Sequence, residues 1–148
     1  MTLSVRERIH AGLIRILETI PGVSVVERNR AANIPPGRRP FIVLLDGDES
    51  EFRYSNNPRP DAPALVDLTP TVIVGVEGDD ADVGPALNAL IASIQRALST
   101  NTAPLAGLPI VLPPRQVGLK TSLAKGKTTE MAAAISLGLT YRLNPSSP

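Results

Sequence analysis

Met131-Ala132-Ala133-Ala134-Ile135-Ser136-Leu137-Gly138-Leu139-Thr140-Tyr141-Arg142-Leu143 decides how this chain is to be read. Met131, Ala133, Ile135, Leu137, Leu139, Tyr141 and Leu143 fall on one side of an extended chain, and Ser136, Gly138, Thr140 and Arg142 on the other. That is the period of a strand with one face in a core. The segment from Gln116 onward supplies a partner arm and Ala124-Lys125-Gly126-Lys127 a tip, so residues 116–143 read as a C-terminal β-hairpin. Asn144-Pro145-Ser146-Ser147-Pro148 is a tail that cannot continue the strand.

Moving outward from the hairpin, residues 65–77 form a long strand candidate in which Val66, Leu68, Val72, Val74 and Val76 share one parity. Pro70 within it suggests a bend or an edge position, because proline has no N–H for a ladder. Phe41-Ile42-Val43-Leu44-Leu45 is apolar on both sides, as a central strand covered on each face would be. Asp46-Gly47-Asp48-Glu49 then reads as a turn, 52–54 as a short strand, and the proline-rich 55–63 as an exposed loop. Residues 23–29 are short and β-branched, leading into a polar loop at 30–40.

Two segments carry the helical period instead. Ser4-Val5-Arg6-Glu7 has the form of a capping box, and Val5, Ile9, Leu13, Ile16, Leu17 and Ile20 follow as a buried stripe before Pro21-Gly22 ends the helix. After the carboxylates of Asp79, Asp80 and Asp82, with Pro85 placed in a first turn, Val83, Leu87, Leu90, Ile91, Ile94 and Leu98 form a second stripe. Residues 100–114 read as a proline-rich connection. The order of helix, strands, helix and hairpin predicts one α+β domain over 1–148, a mostly antiparallel sheet packed against two amphipathic helices.

The 148 residues are 43% hydrophobic, enough for a core without disulfides or metal. With no cysteine, thiolate metal sites and cysteine nucleophiles are excluded; with His10 as the sole histidine, so is a metal site built on two. Aromatics are 3%, too few for a nucleic-acid stacking platform. No apolar run approaches the roughly 20 residues of a membrane span, so a soluble protein without a membrane partner is expected. The net charge of +1 hides three blocks: +4 over 1–40, −8 over 41–82 and +5 over 83–148. They read either as solvated faces or as acidic and basic surfaces that meet between copies of the chain.

Motifs with chemical content are weak. Gly126-Lys127-Thr128 matches the end of a phosphate loop, but Thr121 stands where the first glycine belongs and an alternating strand follows, so a hairpin turn is expected. Asp46, Asp48, Glu49 and Glu51 lack calcium-loop spacing, with Glu51 and Asn57 at the required glycine and glutamate positions, and read as solvated turn acids. Arg28, Arg30, Arg38 and Arg39 flank one loop and suit loop solvation or interface pairs better than a phosphate backbone. His10 lies off the main stripe and is expected at the surface or half-buried, with no Ser and Asp spaced to make it a catalyst. Neither an enzyme nor a cofactor is expected.

The opening helix through Leu17-Glu18-Thr19-Ile20-Pro21-Gly22-Val23, the strand into Phe41-Ile42-Val43-Leu44-Leu45-Asp46-Gly47-Asp48, Thr71-Val72-Ile73-Val74-Gly75-Val76-Glu77-Gly78, the helical Ala86-Leu87-Asn88-Ala89-Leu90-Ile91 and the closing Leu139-Thr140-Tyr141-Arg142-Leu143 form a pattern. In element order and texture it resembles the tail terminator and tail completion proteins of long-tailed bacteriophages, over residues 4–144. The resemblance implies a structural virion protein, assembled in the host cytoplasm into a ring, usually a hexamer, at the head-proximal end of the tail tube. Such a ring stops tube polymerisation and offers a docking surface to the neck, so the implied partners are further copies of the chain, the tail tube protein and the connector or stopper of the head. DNA would pass through the lumen without sequence-specific contact. Within that expectation the candidate interface residues are Arg28, Arg30, Arg38, Arg39, Asp46, Asp48, Glu49, Lys125 and Lys127, with loops 28–40, 57–63 and 125–127 directed along the axis. Another head–tail connector or neck protein, and a small-ligand-binding regulatory module, are the alternatives.

Overall fold

The computed structural model describes residues 3–32, 34, 35, 37–54, 62–126 and 128–145, with 51–54 described by backbone alone. Lys127, most of the loop expected at 55–63, the tail at 146–148 and the side chain of Glu51 lie outside the described residues. The elements are α1 (Val5–Glu18), β1 (Val25–Arg28), β2 (Phe41–Tyr54), β3 (Ala64–Gly78), α2 (Asp80–Thr100), a 3-10 turn at Ala103–Leu105, β4 (Ile110–Lys125) and β5 (Thr129–Leu143). The five strands form one sheet in the order β1-β2-β3-β5-β4. Only β1 and β2 run parallel; every other neighbouring pair is antiparallel, and β4 and β5 make the expected hairpin.

Each apolar stripe lands where its period requires. Ser4 caps α1 by accepting the Glu7 N–H at 3.1 Å, and Val5, Ile9, Leu13, Ile16, Leu17 and Ile20 are buried. All six stripe residues of α2 are buried with them. Both helices lie on one face of the sheet, against Ile42 and Leu44 of β2, the even-numbered apolar residues of β3 and the odd-numbered ones of β5. Each such side chain gains about 1.5–3 kcal/mol by leaving water, so this layer supplies most of the stability. On the other face Ile34 packs with Val25, Phe41 and Val43, and among the described residues this open face carries no helix.

Four expectations are corrected, all at glycine or proline. Asp46-Gly47-Asp48-Glu49 is not a turn, because β2 runs through it. Leu45 pairs with Thr71 and Asp48 with Thr69, so Asp46 and Gly47 together face the single residue Pro70 in a β-bulge. Pro70 accordingly lies in a central strand: the extra residue on β2 falls where proline offers no N–H, and the ladder resumes beyond it. A side chain at 47 would meet backbone, since its Cβ would stand 2.3 Å from Pro70 N and 2.3 Å from the Thr69 carbonyl carbon. Pro113 and Pro114 belong to β4 rather than to a connection; as a sheet edge with register breaks at 110–118, that strand tolerates missing donors. Helix α2 begins at Asp80, which places Pro85 inside the helix, beyond the first turn.

Candidate assembly interface

Arg28 stands opposite Leu44 in the parallel β1–β2 pair and therefore points to the face that carries α1. Its Nε and Nη2 donate to the two oxygens of Asp46 at 2.7 and 2.7 Å, while Nη1 and Nη2 donate to the two oxygens of Glu7 at 2.5 and 2.9 Å. A guanidinium with two carboxylates in bidentate contact lowers the pKa of both, and its own proton is bound more tightly still. Glu7, expected to complete the capping box, spends its carboxylate here instead. The Asp46 N–H donates to Asn29 Oδ1 at 2.8 Å, and Asn29 sits in the left-handed region at φ 54°.

The bulge has a second set of contacts. His10 is 0% exposed, more deeply buried than the expected surface or half-buried position. It lies between Ile9 and Leu13 at the margin of the stripe, and the bulge supplies what a buried imidazole needs: Nδ1–H donates to the Arg6 carbonyl at 2.8 Å and Nε2 accepts the Gly47 N–H at 3.2 Å. That assignment fixes the neutral tautomer, and burial lowers the pKa of the ring. Arg6 donates to the Gly47 carbonyl and pairs with Glu49 at 3.3 Å; Glu49 also accepts the Tyr141 hydroxyl at 2.5 Å. Burial, and then the Glu49 carboxylate, push the Tyr141 phenol upward. One polar network thus ties α1, β1, β2 and β5 together, and Asp46 and Glu49 are not the solvated turn acids expected.

The remaining candidates are scattered. Arg30 donates to Glu27 at 2.8 Å. Arg39 lies over the Phe41 ring at 5.5 Å and pairs with Glu130 at 3.4 Å and Glu77 at 4.0 Å, far along β2 from Arg28. Arg38 and Asp48 are exposed, and Lys125 approaches Asp80 at 3.9 Å with both side chains at least 70% exposed. Among the described candidates the structure therefore brings Arg28, Asp46 and Glu49 into one network but does not gather the set into one patch. Beside Arg39 a groove of about 500 Å³ is lined by Ile34, Phe41, Ile73, Ala124 and Glu130. Arg39 Nη1 is buried there without a hydrogen-bond partner.

Sequence reading missed the most exposed apolar surface. Val111, Leu112, Val117, Leu119 and Leu123, between 43% and 57% exposed, all lie on β4. Among the described residues only Leu3 joins them as an exposed large hydrophobic side chain. The available signal was the 16-residue run 110–125, which is apolar at these positions and carries Arg115, Lys120 and Lys125 but no acid. Among the described residues no group of three or more His, Asp or Glu is placed to hold a metal ion, and no helix is long and apolar enough to cross a membrane. Compared with protein-family models and with curated proteins, the chain matches none.

Proposed function

We propose that this protein is a structural component of a phage virion, a tail terminator whose copies form a ring, a hexamer in the pattern it resembles, on the head-proximal end of the tail tube. The observation that carries the reading is the concentration of exposed apolar side chains on the edge strand β4. Pro113, Pro114 and the register breaks before residue 118 are devices that keep an edge from pairing, but residues 118–125 hold regular register and leave Leu119 and Leu123 exposed on an open edge. A chain that works by meeting copies of itself and a tube has a use for one. The ring covers the last tube subunits, ends polymerisation and presents its opposite rim to the connector of a filled head.

Deletion of the gene in the phage that carries it, followed by microscopy of the lysate, tests the proposal. The expected result is filled heads without tails together with tubes of irregular, excessive length. Normal virions, or tails of normal length with a fault elsewhere, overturn it. The Arg39 groove favours a second reading, a small-ligand-binding regulatory module, because a buried guanidinium nitrogen that has Glu77 at 4.0 Å but no hydrogen-bond partner, beside Phe41 and Ile73, would suit a ligand with one polar and one apolar end. A thermal-shift screen of metabolites, repeated on Arg39→Met, separates the two.

A further inference from the structure

We propose that copies of this chain join through their unlike sheet edges, the regular half of β4 in one copy pairing with β1 of the next so that one sheet continues across the subunit boundary. The choice of a second copy as occupant rests on the ring reading above. The edges are chosen by strand direction and by the regularity of their backbone.

The sheet has β1 at one edge and β4 at the other. One parallel and three antiparallel pairings leave β1 running opposite to β4. A neighbour generated by rotation about an axis along the strands keeps its strand direction, so its β1 meets β4 antiparallel, the more stable ladder. Because the two edges differ, the joint is heterologous, as a closed ring requires. An edge that met its own copy would give a twofold dimer and stop there.

From Gly118↔Ser136 to Lys125↔Thr129, β4 follows β5 without a break in register, while Pro113, Pro114 and every irregularity lie before that point. The backbone groups on the outer side of 118–125 therefore form an unbroken row, the geometry that accepts an added strand. Leu119 and Leu123 stand opposite Ile135 and Met131 and so belong to the helix-bearing face. In the joined sheet they meet the neighbour's α1, which packs on its β1.

The absence of cysteine makes the test direct. Glu27 on β1 and Ser122 on β4 both belong to the open face, opposite Val43 and Ala132. Glu27→Cys and Ser122→Cys are each purified, mixed at high protein concentration and treated with a short bis-maleimide, with the exposed Ser99→Cys on α2 as the control. The expected result is a mixed dimer of the two variants, well above the control, and a ladder beyond dimer from the double variant. Rapid dimerisation of Ser122→Cys alone would show β4 meeting β4 and overturn the proposal, as would mixed product no greater than the control. Negative-stain microscopy of the wild-type protein separates the two readings. Rings without mixed product refute this joint and leave the ring standing; a ladder accompanied by open fibres supports the joint and counts against the ring.

Discussion

Arg28 of β1 and Asp46 of β2 are locked side to side, both oxygens of the carboxylate taking a guanidinium N–H at 2.7 Å, while the far edge of the same guanidinium holds Glu7 of α1. The geometry needs a planar fork, which lysine lacks. Arg28→Lys is therefore expected to cost about 1 kcal/mol and Arg28→Met about 2 kcal/mol, modest because all three side chains are partly exposed. Urea unfolding measures both, and variants with unchanged midpoints would show the fork to be incidental.

His10 gives the protein a response to acid that begins above the range of its carboxylates. Burial lowers the folded-state pKa of the ring from 6.5, so below about pH 6.5 the unfolded chain takes up a proton that the folded chain refuses. Stability then falls with pH until the folded ring protonates too. Glu7 and Asp46, whose folded values are lowered by Arg28, act in the same direction further down, as pH falls below their ordinary values of 4.5 and 3.8. The melting temperature of the wild type should drop between about pH 7 and about pH 5, and that of His10→Gln should stay nearly level there. Parallel profiles would remove His10 from the account.

Leu137 and Leu123 sit on adjoining strands in opposite circumstances, 0% and 57% exposed. Leu137→Asp puts an unpaired carboxylate into the core and is expected to cost several kcal/mol or abolish folding, whereas Leu123→Asp should change stability by about 0.5 kcal/mol or less. Circular dichroism melts report both. Comparable stabilities would invalidate the assignment of faces on the hairpin.

Gly47 and Gly84 offer a test of opposite sign. A methyl group at 47 is driven into the backbone of Thr69 and Pro70, while at 84, inside α2, it meets nothing within 4 Å. Gly47→Ala should lose about 1–3 kcal/mol and disturb the His10 contact, and Gly84→Ala should gain about 0.5–1 kcal/mol through helix propensity. Chemical denaturation reads each sign, and a neutral Gly47→Ala would mean that the bulge can open.

What the sequence made legible was whatever depends on period alone. The stripes of both helices and the parity of residues 66–76 and 131–143 needed no knowledge of partners. The errors came where a residue answers to a distant neighbour. Asp46-Gly47 has the composition of a turn and becomes a bulge only because Pro70 lies across from it, and Pro113-Pro114 can stay in a strand only because that strand is an edge. The candidate site fared the same way. Arg28 and Asp46 are 18 residues apart and meet through a parallel pairing that no local pattern announces, and His10 is buried because the Gly47 amide reaches it.

Strand β5 is inserted between β3 and β4, although both precede it in the chain. A ribosome that has released everything through β4 has released a sheet with a gap in its middle, since β3 and β4 do not pair with each other and are joined only when β5 zips to both. The rows later shared with residues 129–143 are then bare on two long strands at once. Folding is thus back-loaded: the helices and the β2–β3 ribbon can form early, but closure waits for β5 to be translated. A stop codon or frameshift within β5 would leave a sticky, half-built molecule rather than a shortened one.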